Sequence, residues 1–235
     1  MSGQRGGSGD PLPDGDAQSP SPAESRRDTT RVEAFSDGVF AVAITLLVLN
    51  LVVPPHLPGG LLHALGELWP AYLAYLASFL FVGVSWVNHH GVFRRLRSVD
   101  RGLCWVNLGI LITVVPTPFP TAVLANALRD GNAVDSGTAA AFYGFVFATD
   151  AVAWFCFLTY AGRHPHLLHR ESDGRLLRLD GLRGLLGIVS YGAAGLLGYL
   201  VSPLVALIIY VLLPIFYALT SEGLQGLPGF VRGRH

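Results

Sequence analysis

Six long apolar stretches, each near the length that crosses a bilayer, constrain this chain more than any other feature. They run over about 32–53, 67–93, 101–126, 138–162, 180–200 and 203–221. Roughly 20 helical residues span the ~30 Å of bilayer hydrocarbon, and backbone inside hydrocarbon has to hydrogen-bond to itself. The fold class read from this pattern is all-α, a polytopic membrane protein with six transmembrane helices. Charged residues make up only 14% of the chain, against roughly 25% in soluble domains, which argues against a soluble helical core. The triplet Phe35-Ser36-Asp37 occurs once and no internal duplication stands out.

Loop charge orients the helices, because arginine and lysine accumulate on the cytoplasmic side. All 16 fixed basic residues are arginines. Arg26, Arg27 and Arg31 precede the first stretch, and Arg94, Arg95, Arg97 and Arg101 lie between the second and third. Arg163, Arg170, Arg175, Arg178 and Arg183 lie between the fourth and fifth, and Arg232 and Arg234 follow the sixth. With Arg5, 15 arginines fall on one side and only Arg129 on the other. The alternation fits six spans in the inner (plasma) membrane with both termini cytoplasmic. Residues 1–30 are rich in Gly, Ser, Pro and Asp and read as a disordered cytoplasmic tail. They lack the apolar run of a signal peptide. Residues 31–222 form the transmembrane domain, and 223–235 a short cytoplasmic C-terminal tail. Cys104 and Cys156 both lie in apolar stretches and read as small buried apolar side chains, with no disulfide framework and no metal site. The lipid bilayer is the expected partner, and no nucleic acid is.

A charged and polar cluster leads directly into the first stretch: Arg31-Val32-Glu33-Ala34-Phe35-Ser36-Asp37, then Gly-Val-Phe-Ala-Val-Ala-Ile-Thr-Leu-Leu-Val-Leu. Charge at a membrane boundary is costly and marks function by default. On the helix wheel Val42, Leu46 and Leu49 recur at i, i+4 and i+7 and share one face. Periodicity alone reads that face as ordinary packing, since almost any transmembrane helix offers one. Thr45 sits beside it and either presents its hydroxyl or bonds its own backbone.

The second stretch ends in Ser85-Trp86-Val87-Asn88-His89-His90, and the third begins Arg101-Gly102-Leu103-Cys104-Trp105-Val106-Asn107. In the six-span topology these ends share a membrane face with Arg31, Ser36 and Asp37. Unpaired polar groups in a helix bundle are costly, so a closed network is expected in which Asp37 meets His89 and Asn107, and Arg31 meets Asp37. Adjacent histidines on a helix point to different faces, which argues against His89 and His90 sharing a metal. Asp150 lies near the middle of the fourth stretch, and a mid-bilayer carboxylate is a functional candidate. Both a proton-linked role and a structural pair with Arg or Tyr stay open for it. Gly184, Gly187, Gly192, Gly195 and Gly198 read as a surface for close helix packing.

The run from Arg31 through Phe35-Ser36-Asp37 to Leu49 resembles the first helix of the endosomal and lysosomal potassium channel family (transmembrane protein 175), in its bacterial single-repeat branch. Trp86 and His89 are similar to the family's second-helix Trp-x-x-His, followed by Phe93. Asn107-Leu108 and Pro116 are similar to its third helix. The resemblance covers roughly 31–126.

The resemblance implies one six-helix repeat per chain, a homotetramer built around the first helix, and potassium as the permeant ion with no cofactor. It implies apolar rings at Val42, Leu46 and Leu49 in place of a Thr-Val-Gly-Tyr-Gly carbonyl filter, a loop this chain also lacks. Thr45 becomes the pore-adjacent polar residue. Arg31, Phe35, Ser36, Asp37, Trp86, His89 and Asn107 form the motif network. An apolar ring can stay dry and block ions until it widens, and Asp37 near the cytoplasmic mouth would offset a helix N-terminal dipole that repels cations. Where the family has isoleucine or leucine, this chain has Val42, whose smaller side chain widens that ring. The alternative reading is a proton-coupled transporter or a proton-permeable channel, for which Asp150, His89 and Asp37 are the titratable groups. An enzyme is not expected: no nucleophile elbow, His-Glu-x-x-His motif or phosphate loop occurs.

Overall fold

A computed structural model describes residues 22–220. Among the described residues no strand forms, and six helices are long and apolar enough to cross a membrane. The chain is a multi-pass membrane protein. The first span is α1 (Pro22–Leu46), tightened at its far end into a 3-10 turn over Leu47–Asn50. A short helix α2 (Leu61–Glu67) leads into α3 (Trp69–Phe93), the second span. The third span is divided into α4 (Arg101–Val114) and α5 (Pro118–Asp130). Then come α6 (Ala133–Arg163), α7 (Glu171–Leu200) and α8 (Pro203–Thr220).

Four boundaries differ from the sequence reading, each for a physical reason. First, α1 starts at Pro22 with Glu24 in its first turn, so 22–30 is helical and not part of a structureless tail. Proline is tolerated at a helix start, and an acidic residue there meets the favourable end of the dipole. Asp37 consequently lies about four turns inside the helix at 3.6 residues per turn, too deep to offset a helix terminus. Second, the third span breaks at 115–117, because Pro116, Pro118 and Pro120 lack the amide hydrogens a continuous helix needs. Third, most of the arginine-rich segment 163–183 belongs to the ends of α6 and α7, leaving a connection of only 164–170. Fourth, α2 was not read at all, being too short for a periodic signal. Residues 1–21 and the C-terminal tail at 223–235 lie outside the described residues. Cys104 is half-buried and Cys156 is exposed on the outer face of α6, so only the apolar setting of the cysteine reading holds.

Helices α6 and α7 form the tightest pair, and α4, α5 and α8 pack around α6. Glycine permits the approach. A Cβ on Gly144 would lie 2.5 Å from the Tyr210 hydroxyl and 2.6 Å from the Tyr191 carbonyl oxygen, and Gly195 faces the same contact from α7. Gly192 has open space around it and is the one member of the expected glycine surface outside that packing. Gly144→Ala is expected to lower stability by about 1–3 kcal/mol, the usual cost of overpacking, because a backbone has to move. The check is the thermal midpoint in detergent, with Gly109→Ala, which meets nothing within 4 Å, leaving it unmoved.

The two arginine-rich connections meet at one end of the bundle. The Arg97 amide donates to the Leu167 carbonyl at 2.7 Å, and the His169 amide to Arg95 at 3.0 Å, around a bridge between Leu96 and Leu168. Asp100 caps α4 by accepting from the Leu103 amide at 2.6 Å and accepts the Tyr160 hydroxyl at 2.9 Å. Even and odd connections therefore lie at opposite ends, as the arginine alternation requires.

Candidate functional site on the first helix

Helix α1 stands at the edge of the bundle. It packs on α3 and α4 alone to any extent, and its 3-10 end on α3 and α5. Its inner face is Ser36, Phe40, Ala43 and Leu47, all buried, at spacings of four, three and four that turn each toward the same neighbours. The opposite face is bare. Val42 is 58% exposed, Leu46 40% and Leu49 69%, and Phe35 continues the stripe, while Val53 lies beyond the helix end. The three residues expected as a constriction thus share one uncovered apolar face. Thr45 is also exposed, but its hydroxyl donates back to the Ala41 and Val42 carbonyls, both at 2.9 Å.

A buried hydrogen-bond chain fixes the inner face. The His89 Nε2–H of α3 donates to Asn107 Oδ1 of α4 at 2.8 Å. The Asn107 Nδ2–H donates to Ser36 Oγ at 3.0 Å, and the Ser36 hydroxyl donates to the Val32 carbonyl at 2.9 Å. Three helices are joined through groups with almost no solvent exposure. The His89 ring is stacked 4.4 Å from Phe93 and tilted 5.3 Å from Phe40, so apolar packing holds it in the orientation that reaches Asn107. Low dielectric makes such a chain strong when complete and expensive when broken.

Three expected pairings are corrected. Asp37 bonds neither His89 nor Asn107: its carboxylate accepts the Trp86 indole N–H at 2.9 Å. Asp37 follows Ser36 by one residue, a turn of about 100°, which aims it at α3 near the rim. Arg31 is exposed, and among the described residues it forms no ion pair with Asp37. Phe35 is likewise outside the network, on the bare face. The sequence reading missed Glu33, whose carboxylate oxygen lies 2.9 Å from His90 Nδ1, a contact between α1 and α3 that is an ion pair only when His90 is protonated. The signal was present, since His90 has to face away from His89, and Glu33 precedes Ser36 by three. It also missed Asn50, whose Nδ2–H donates to the Pro118 carbonyl at 2.9 Å. This ties the far end of α1 to the proline break. Asp150 is buried and accepts the Thr113 hydroxyl of α4 at 2.7 Å, so among the described residues its hydrogen-bond partner is a threonine and neither Arg nor Tyr.

A family model described as endosomal/lysosomal potassium channel TMEM175 matches residues 31–118, the stretch that runs from Arg31 in α1 through α3 and α4 and includes every member of the chain just described. A Streptomyces collinus protein named a potassium channel is 45% identical over 188 residues, covering 80% of this chain and 90% of its own. A crystal structure from Chamaesiphon minutus, titled as a lysosomal potassium-selective channel TMEM175 homolog, superposes with a TM-score of 0.72 at 35% identity, over 82% of this chain and 97% of that one. The human protein named endosomal/lysosomal proton channel TMEM175 is 37% identical over 112 residues, 43% of this chain and 22% of its own length.

Proposed function

The chain belongs to the endosomal/lysosomal potassium channel TMEM175 family, and on that premise we propose that it is a potassium-selective, leak-like channel whose pore is lined by α1 from four copies. The observation that carries this reading is the bare apolar face of α1. A packing stripe within the chain would be covered; a bare one faces lipid, as Ile112 and Val189 of other spans do, or a neighbouring copy, and the family match that begins at Arg31 on this helix supports the second. One chain has a single α1, so a closed ring around an axis requires several copies. Val42, Leu46 and Leu49 then form successive aliphatic rings. Such a constriction offers no hydrogen bonds to water, so the column inside dries readily and ions stop. Potassium sheds hydration water more easily than sodium, and a ring that strips part of the shell favours it. Thr45, bonded to its own turn, contributes no polar ring in this conformation. Ser36, Asn107 and His89 hold the helix in register, with Asp37 and Trp86 fastening its rim and Arg31 and Phe35 left at the cytoplasmic approach. No cofactor enters. The arginine distribution supports the inner membrane with both termini in the cytoplasm.

Reversal potential tests the proposal. Purified protein reconstituted under opposed potassium and sodium gradients is expected to reverse close to the potassium equilibrium potential, and to run as four subunits in detergent. Silence at every voltage, or a single-subunit particle, would refute it. A proton-permeable pore is the second reading, favoured by the name of the human relative. It predicts acidification of dye-loaded liposomes under a proton gradient with no potassium present.

A further inference from the structure

A half-open slot of about 560 Å³ lies between α3, α6, α7 and α8, a volume within the ~300–1,000 Å³ range of small-molecule sites. Its lining starts where the arginine-rich connections meet and runs toward mid-span, from Leu158 to Asp150 on α6 and from Asp180 to Tyr191 on α7. Asp150 and Tyr191 therefore stand at its inner end. Gly187, about one turn before Tyr191, backs onto Ala151, whose Cβ would lie 3.3 Å from a Cβ placed there. The two residues thus differ in depth by only about 5 Å at 1.5 Å per residue. Asp150 is 2% exposed and Tyr191 3%. One Asp150 oxygen accepts the Thr113 hydroxyl. The other has no partner among the described residues, and no cationic side chain pairs with it there. The Tyr191 hydroxyl is likewise buried with no hydrogen-bond partner among the described residues, while its ring is held by Phe81 at 5.8 Å and Phe147 at 5.6 Å. Two unmet polar groups at the end of an apolar slot are uncommon in a folded interior and are what a ligand site supplies to fix orientation.

We propose that this slot binds a small protonated amine with an apolar body, its ammonium lying between the second Asp150 oxygen and the Tyr191 hydroxyl. An ammonium N–H donated to a carboxylate is a strong, charge-assisted hydrogen bond, and the pairing gives a buried carboxylate the opposite charge it lacks. Val84, Leu158 and Pro214 offer the body an apolar wall, and Trp154 lines the slot beside them with a ring that attracts a nearby cation. An inorganic cation would find one carboxylate oxygen and one hydroxyl, too few to replace its hydration shell, and would leave the apolar wall without a role. The outer end takes no part, since Asp180 there lies 2.9 Å from Arg183 and 3.7 Å from Arg95. The slot shares a wall with the motif network. The Trp154 indole N–H donates to Ser85 Oγ of α3 at 2.9 Å, and its ring meets His89 edge-on at 6.3 Å.

Titration calorimetry of the full chain in detergent, with phenethylamine or its neutral counterpart phenethyl alcohol and with protein-free micelles as the blank, tests it. The amine is expected to bind saturably and the alcohol at least about tenfold more weakly, the difference a hydrogen bond to a charged group makes. Asp150→Asn keeps an acceptor for Thr113 and should weaken the amine by the same factor, leaving the alcohol unchanged. Tyr191→Phe removes a hydroxyl with no partner to lose, so it should weaken the amine about threefold, part of an ordinary hydrogen bond, without lowering the thermal midpoint. Val84→Trp, which narrows the slot from α3, should weaken both. Potassium chloride at about 0.1 M should not displace the amine, because buried pairs are screened little. No saturable binding, or equal binding of amine and alcohol, overturns the proposal. So does amine binding unmoved by Asp150→Asn or by a folded Val84→Trp, which would place the amine elsewhere on the protein. Displacement by potassium overturns it too and makes the site one for inorganic cations. Because binding in detergent is read without ion flux, failure here leaves the reading of α1 as a pore helix untouched.

Discussion

Leu46→Asn protein in liposomes is expected to pass potassium at least about tenfold faster than the parent at equal protein density, and to discriminate less against sodium. Leu46 lies in the middle of the bare stripe, between Val42 and Leu49, and is the least exposed of the three in the single chain. In a ring of four copies the substitution places four amides where four isobutyl groups stood. Amides hold water, so the free-energy cost of wetting that level falls. A tenfold change needs only about 1.4 kcal/mol, well within the ~1.5–3 kcal/mol that separates a buried leucine side chain from a solvated one. The structural neighbour Leu47 is buried against α3 and α5, and Leu47→Asn should reduce folded protein without opening a pore. Ion flux, measured by potassium-selective electrode alongside a sodium-loaded control, separates the two. Equal flux from Leu46→Asn and parent would remove Leu46 from any constriction.

Asn107→Ala is expected to be the most damaging single substitution in the motif network. Asn107 is the middle link, and its loss strands His89 Nε2–H and deprives Ser36 Oγ of its donor inside a region with almost no solvent. Each stranded buried group costs about 1–3 kcal/mol, so roughly 2–6 kcal/mol is lost from the attachment of α1 to α3 and α4. The thermal midpoint should fall sharply, and the oligomer should weaken with it if α1 forms the shared axis. Trp86→Phe is the contrast. It removes only the half-exposed bond to Asp37 and should cost about 1 kcal/mol, the net worth of an ordinary hydrogen bond. Comparable midpoints for the two variants would mean that the buried chain does not hold α1.

The number and order of the spans were legible from hydropathy, because hydrocarbon permits few solutions for a backbone. The inner and outer faces of α1 were legible as a stripe, but not which side was covered, since periodicity is blind to what lies opposite. That Ser36, His89 and Asn107 lie within reach of one another was legible, because the topology brings three helix ends together, whereas Arg31 and Phe35 stand outside that chain. Their pairing was not. Ser36 and Asp37 differ by about 100° of helix rotation, and the hydroxyl rather than the carboxylate turned inward to Asn107. The break in the third span was visible as three prolines yet read as part of one helix. The partner it gained, Asn50, lies 68 positions earlier in sequence, beyond the reach of any local pattern.

That tether changes how the bare helix can move. The Ser36–Asn107–His89 chain grips α1 past its middle, and Asn50 grips its far end through the Pro118 carbonyl. A rod clamped twice does not swing alone. If α1 walls an aperture shared by several copies, enlarging it requires each copy to carry α3, α4 and α5 outward together, as the blades of a camera iris move with their mounts, or else to turn α1 about its own length between the two clamps.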